Sequence, residues 1–155
     1  MSLEIDRASL LVRVPGAVTL GQLEAALSPE GLTLGPWLTD SMHSTNIADW
    51  IARGAPGAPS QFDDPADHLL AGLSCTLLDG RHLDIRPGPR RAVGPDLVAL
   101  VFGAHERFAT LDRAWLRVHF KGTQVRSTKV VVDSDPPISA EELTLITALE
   151  RELRS

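Results

Sequence analysis

The side chains that could do chemistry are few and scattered. Five histidines stand at positions 43, 68, 82, 105 and 119. No two share the i, i+2 or i, i+4 spacing that puts paired imidazoles on one face of a strand or helix, the usual start of a metal site. Cys75 is the single cysteine, which leaves no disulfide framework and no multi-cysteine zinc site. It lies inside the β-rich run 73–78, where an inert core thiol is expected rather than a thiolate nucleophile. There is no Gly-x-Ser-x-Gly elbow, no P-loop and no Gly-x-Gly-x-x-Gly turn between a strand and a helix. Asp63, Asp64 and Asp67 lack the alternating oxygen ligands and central glycine of a calcium loop, so they read as a solvated turn. Arg86, Arg90 and Arg91 could receive a phosphate or an acidic partner, but read first as a solvated turn. The residues by themselves assign no catalytic centre and no metal.

The elements that carry these side chains follow from pattern. Residues 9–14 read as a strand stopped by Pro15-Gly16. Thr19 then caps a helix over 20–27, whose apolar side chains recur at 20, 23 and 27 and which Pro29 and Gly31 end. A short strand at 32–34 follows, then a short helix at 46–52 with Ile47, Trp50 and Ile51 turned inward. The Pro/Gly-rich stretch 54–65 is a loop. Residues 69–78 and 81–85 form a hairpin in which Asp79-Gly80 predicts a two-residue type I′ turn. Pro95 opens a short helix at 95–102. Two more strands are expected at 109–120 and 124–132, and Pro136-Pro137 separates them from a last helix. That helix carries a capping box, Ser139 with Glu142, and an apolar stripe at 143, 146 and 149. These elements give an α+β fold class.

Bulk properties fit this order. The chain has 155 residues, 43% hydrophobic and 23% charged, with a net charge of −5. That is ordinary for one globular domain with its own core. A mildly acidic chain argues against sequence-independent nucleic-acid binding. No run approaches the roughly 18 apolar residues of a membrane span, and the N-terminus lacks a secretory signal pattern. A reducing cytoplasm is the expected location. Trp37, Trp50 and Trp115 are expected to anchor core or rim.

Taken together, the motif order resembles the FAD-binding domain of FAD-linked oxidases (the vanillyl-alcohol oxidase / p-cresol methylhydroxylase superfamily, glycolate-oxidase and D-lactate-dehydrogenase type), and within it the second subdomain. Residues 10–34, LLVRVPGAVTLGQLEAALSPEGLTL, resemble the family's strand, Gly-Val-Thr-Leu-Gly-x-Leu, helix and Gly-Leu-x-Leu opening. NIADWIARGAPG matches the Thr-Ile-Gly-Gly segment without a gap, and DHLLAGLSCTLLDGR matches the strand leading to Asp-Gly. Residues 93–118 follow the Gly-Tyr-Asp-Leu to Leu-Arg-Leu segment in register, with Asp96, Leu97, Leu100, Gly103, Ala114, Leu116 and Arg117 where expected. The resemblance covers about residues 9–120 and implies a mostly antiparallel sheet of about five strands flanked by helices. It divides the chain into an oxidase-like subdomain, 1–122, and a strand-and-helix extension, 123–155, a remnant of the family's cap domain.

The resemblance also names cofactor positions: Asn46, Ala48, Asp49, Ala52, Gly103, Glu106, Ala109 and Thr110 stand where the family contacts FAD. Several depart from its pattern. The family's paired glycines become Ala48-Asp49, and later glycines become Glu106 and Ala109. A side chain obstructs close approach of a pyrophosphate to backbone amides, and the Asp49 carboxylate adds repulsion. Replacing a positive-φ glycine by Glu is expected to change the backbone at 106. Set against the family, the length implies a missing first subdomain and a missing cap. FAD is the cofactor implied by resemblance, self-sufficient FAD binding is expected to be lost, and no metal is implied.

Three functions remain open. The chain is a degenerate module, inactive alone, that serves as a partner subunit or assembly element, as a homo-oligomer or with another oxidoreductase subunit. Alternatively it is the FAD-binding component of a split FAD-linked oxidoreductase of 2-hydroxy-acid type, completed by another chain. A third reading puts a small molecule or peptide in the vacated cleft, near Trp37, Trp50, Arg53 and His43. Neither nucleic acid nor membrane is an expected partner.

Overall fold

Alternation along two strands sets the architecture. In β2 (Leu11–Pro15) and β6 (Ala109–Arg117), Val12, Val14, Ala114 and Leu116 are fully buried while the intervening positions are not. A sheet with one apolar face needs a covering layer, and amphipathic helices supply it. The computed structural model describes residues 2–58, 69–87, 97–123 and 139–155. Its main sheet has five strands in the order β1-β2-β6-β4-β5, all antiparallel, with β1 at Glu4–Asp6, β4 at Leu70–Leu77 and β5 at His82–Ile85. A small second sheet pairs β3 (Leu32–Thr33) with β7 (His119–Phe120). The expected α+β class and antiparallel five-stranded sheet are therefore observed.

Two helices contribute to the core beside the apolar sheet face. Helix α1 (Leu20–Leu27) starts where a capping box fixes it: the Thr19 hydroxyl accepts from the Gln22 amide at 3.2 Å, and the Gln22 side chain accepts from the Thr19 amide at 3.0 Å. A Ser/Thr N-cap contributes about 1 kcal/mol relative to Ala. Leu20, Leu23 and Leu27 bury one stripe, and Gly31 ends the following 3₁₀ turn at φ 69°. Helix α2 (Ile47–Ala52) buries Ile47, Trp50 and Ile51. Trp37 stacks on Trp50, with ring centroids 5.2 Å apart and planes 11° from parallel. Both rings belong to the core, while Trp115 is half-buried on the opposite sheet face.

The structure corrects one sequence expectation, the hairpin turn, and adds two features that the pattern does not contain. β1 was absent from the pattern reading; it is a three-residue edge strand, too short to show a period. The hairpin turn is not type I′. The Leu77 amide donates to the Arg81 carbonyl at 2.8 Å and the Gly80 amide to the Leu77 carbonyl at 2.9 Å. That is a three-residue loop in which Gly80 alone takes positive φ, 86°, and the residue at 79 stays in the ordinary region; a type I turn with a glycine bulge has this pattern. The apolar stripe of α3 (Ala140–Arg154) is not a buried face: Leu143 and Leu149 are exposed, and only Leu153 is buried. Its capping box is as expected, Ser139 and Glu142 bonding each other's amides. The loop beyond residue 58, the acidic run 63–67, His68, Arg90, Arg91, Pro95 and the strand at 124–132 lie outside the described residues.

Candidate functional site

Two segments far apart in sequence meet at one groove. The first is the start of α2, placed by Asn46, whose side-chain oxygen accepts from the Asp49 amide at 2.7 Å while its amide group donates to the Asp49 carboxylate at 2.9 Å. The second is the turn 103–106, hung on the end of α2: the Gly103 amide donates to the Ile51 carbonyl at 3.0 Å and the His105 amide to the Ala52 carbonyl at 2.9 Å. Between them lies an open groove of about 410 Å³, lined by Ser44, Thr45, Asn46, Asp49, Ala52, Arg53, His105 and Glu106.

Four of the eight positions named by resemblance, Asn46, Asp49, Ala52 and Glu106, thus line one wall-to-wall site. The others play different parts. Ala48 packs toward Gly16, where a Cβ would come within 3.0 Å of its own. Gly103 anchors the turn at φ 70°. Ala109 is buried in β6 opposite Leu77, and Thr110 is exposed in β6 opposite Thr76, so neither joins the groove. Arg53 lines the groove but His43 does not, and Trp37 and Trp50 are core. Ser44, Thr45 and His105 were not singled out as site residues; the only sequence signal for His105 is its place beside Glu106.

The backbone at the turn overturns one expectation. Glu106 takes φ 60° and His105 φ 53°, so the left-handed conformation is present without glycine. L-residues pay about 1–2 kcal/mol there, and the two amide bonds to α2 supply the restraint that holds them.

Pyrophosphate recognition at such a place requires backbone N–H groups aimed outward. Over the first turn of α2 and most of the turn 103–107 they are engaged. The Ile47 amide donates to Val18 O and the Ala48 amide to Gly16 O, both at 2.9 Å; the Asp49 amide goes to the Asn46 side chain and the Trp50 amide to Asn46 O at 3.0 Å. On the turn, the amides of Gly103, Ala104, His105 and Arg107 all bond carbonyls of the chain. With Asp49 and Glu106 as the groove's carboxylates, these residues do not fit an FAD pyrophosphate by themselves. What the groove offers is two carboxylates, one guanidinium, one imidazole and two hydroxyls around open space, a polar recognition surface without an activated nucleophile.

Among the described residues no group of three or more His, Cys, Asp or Glu side chains could hold a metal ion. No described helix is long and apolar enough to cross a membrane. The comparisons with known proteins give fold information. No family model and no curated protein matches the chain. Among solved structures it is similar to alkyldihydroxyacetonephosphate synthase in two crystal forms, with 20% identity, a TM-score of 0.59 and 76% of this chain covered in both. The chain spans only about a fifth of those structures, 20% and 21% of their length. The chain accordingly shares the fold of one part of those structures, an antiparallel sheet with flanking helices, as expected from the sequence.

Proposed function

We propose that the chain is an FAD-linked-oxidase-type domain that has lost self-sufficient FAD binding and acts as a partner subunit or assembly module, a pseudoenzyme of the cytoplasm. The observation that carries this reading is the engaged backbone at the start of α2. All four first-turn amides of α2 serve the chain's own carbonyls or the Asn46 side chain, and two carboxylates face the space where a dianion would lie. Equilibrium titration with FAD, read by fluorescence quenching together with the visible spectrum of the purified chain, tests it. A colourless protein that does not quench FAD at micromolar concentration is the expected result; a yellow protein with stoichiometric flavin overturns it.

A second reading draws support from the convergence of residues 46–52 and 103–106 on one groove. In it the chain is one component of a split FAD-linked oxidoreductase of 2-hydroxy-acid type, with the remaining cofactor contacts supplied by another chain. Co-expression with adjacent open reading frames and a flavin assay of any complex separates the two: flavin retained only in the complex favours the second.

A further inference from the structure

The dipeptide Asp79-Gly80, at the tip of the β4–β5 hairpin, carries a chemistry that the groove does not use. The amide nitrogen of a glycine can attack Cγ of a preceding aspartic acid. An N–Cγ bond forms, the Cγ–O bond breaks, and the carboxyl hydroxyl leaves with the amide proton as one water, which closes a succinimide ring. Water then opens the ring at either carbonyl. Opening at the former main-chain carbonyl routes the backbone through the aspartate side chain, an isoaspartate, and frees the old α-carboxyl. Glycine obstructs the attack least, because it has no Cβ beside the nitrogen. No oxidant, reductant or cofactor enters the balance.

Closure needs a protonated carboxyl and an amide free to give up its proton, and the hairpin opposes both. Asp79 Oδ1 accepts from the Arg81 amide at 3.0 Å and Oδ2 from Arg81 Nε at 2.7 Å. Two donors, one of them cationic, hold the group in its ionised form. The Arg81 amide foremost keeps Asp79 below its ordinary carboxyl range. The Gly80 amide is engaged as well, donating to the Leu77 carbonyl at 2.9 Å. Open space is not lacking: beyond its chain neighbours no atom lies within 4 Å of where a Cβ on Gly80 would stand, and the Arg81 side chain is 72% exposed. Protection therefore rests on hydrogen bonds rather than on burial.

We propose that Asp79-Gly80 is an isoaspartate-forming site that the folded hairpin keeps latent, with Arg81 as the clasp on the carboxylate. This goes beyond the assembly reading above and does not rest on it. The consequence falls on one strand pair. Isoaspartate adds a backbone carbon to a loop whose ends are tied by the Leu77 amide and the Arg81 carbonyl at 2.8 Å. Among the described strands β5 pairs with β4 alone, so no second neighbour there holds its register. Conversion should loosen β5 and leave the ladders of β6 with β2 and β4 intact.

Peptide mapping after incubation of the full chain in neutral oxygen-18 water tests the proposal. Each passage through the ring leaves one heavy oxygen at residue 79, and isoaspartate separates from aspartate by chromatography. In guanidinium chloride above the unfolding midpoint, label and isoaspartate should accumulate at least about tenfold faster than in the folded chain, because the folded loop must open to react. Folded Arg81→Ala should react about three- to fivefold faster than the folded wild type, a modest gain because the pair is exposed. In guanidinium chloride the two should be equal, which assigns the difference to the fold rather than to the neighbouring residue type. Arg81→Lys keeps a cation without the planar fork and should fall between them; it serves where Arg81→Ala does not fold. Folded wild type reacting as fast as unfolded, folded Arg81→Ala no faster than folded wild type, or no heavy oxygen at residue 79 in the unfolded chain overturns the proposal. None of these readings depends on whether the chain binds FAD.

Discussion

The amide of His105 donates to the carbonyl of Ala52 at 2.9 Å, and this bond locks the turn 103–106 onto the end of α2. It holds His105 and Glu106 at φ 53° and 60°, where glycine is at ease and other residues are strained. Glu106→Gly should therefore stabilise the chain. Relief of about 1–2 kcal/mol of left-handed strain exceeds the roughly 0.4–1 kcal/mol of extra unfolded-state entropy that glycine brings. The expected net gain is about 0.5–1 kcal/mol, read as a raised urea midpoint with an unchanged slope. A lowered midpoint would mean that the Glu106 side chain contributes more than its backbone costs.

The Asn46 pair with Asp49 leads to a second expectation. Asn46→Ala removes the cap of α2 and the donor to the Asp49 carboxylate, and should cost about 1 kcal/mol, within the usual range for N-caps. Asn46→Asp keeps an acceptor for the Asp49 amide but sets one carboxylate against another. Aspartate is ordinarily as good a cap as asparagine, so an Asn46→Asp loss comparable to that of Asn46→Ala would be specific to this reciprocal geometry. Chemical denaturation of both variants checks it.

How much was legible in the sequence divides along the range of the interactions involved. Thr19 and Ser139 sit beside the groups they cap, so local pattern located the starts of α1 and α3, and the apolar spacing of Ile47, Trp50 and Ile51 located α2. The strands β2 and β6 were legible as β-rich runs, and the antiparallel sheet as what the family resemblance implies. The Asp79-Gly80 turn was misread because its loop includes Leu78 as well, and loop length depends on cross-strand register rather than on the dipeptide. The stripe at Leu143, Ile146 and Leu149 correctly marked an amphipathic helix, but periodicity does not say whether a face meets its own core or another surface. At the groove, Asn46, Asp49, Ala52 and Glu106 come together from among the positions the resemblance named, while Ala109 and Thr110 lie in the ladder with β4, and positive φ at His105 leaves no trace in residue type.

Two glycines should fail for opposite reasons. A Cβ at Gly72 would come within 2.4 Å of the Ile85 carbonyl and 3.0 Å of Pro87, so Gly72→Ala must displace the β4–β5 ladder. It should cost well over 2 kcal/mol, among the larger effects of a single substitution. Gly80 stands in open space at φ 86°, so Gly80→Ala meets no atom and suffers only backbone strain, about 1 kcal/mol. Amide exchange of β5 separates them: it should accelerate strongly in the first variant and modestly in the second.

Acid should weaken the fold in a defined window. The Ser9 hydroxyl and amide hold Asp6 below the ordinary 3.8. The Arg81 amide does the same for Asp79, and the Ser74 hydroxyl for Asp84. A carboxyl with a folded pKa below its unfolded value contributes stability above the unfolded value and loses it as pH falls through the folded one. Stability should thus be level in this respect above about pH 4 and decline below it. Asp84→Asn should reduce the steepness of that decline. These groups are exposed, so each effect is small and salt-sensitive, and urea midpoints at a series of pH values and two salt concentrations are the measurement.

Cys75 gives the alkaline counterpart. Burial, with a smaller contribution from the Asp112 charge, pushes its thiol from 9.0 up to about 11. A thiol is neutral when protonated, so a raised folded pKa contributes stability that is fully present below the unfolded value. It is lost as pH rises from about 9 toward 11, because the unfolded chain releases its proton first. Cys75→Ala should lower stability at neutral pH by roughly 1 kcal/mol through lost packing, yet flatten the decline between pH 9 and 11. The same burial makes the native thiol a poor nucleophile. Its reaction with an aromatic disulfide reagent should follow the opening of the chain, slowing as stability rises and accelerating in urea below the unfolding midpoint. Fast labelling of the native chain at neutral pH, insensitive to urea, would mean that Cys75 is reached without opening the β4–β6 ladder that covers it.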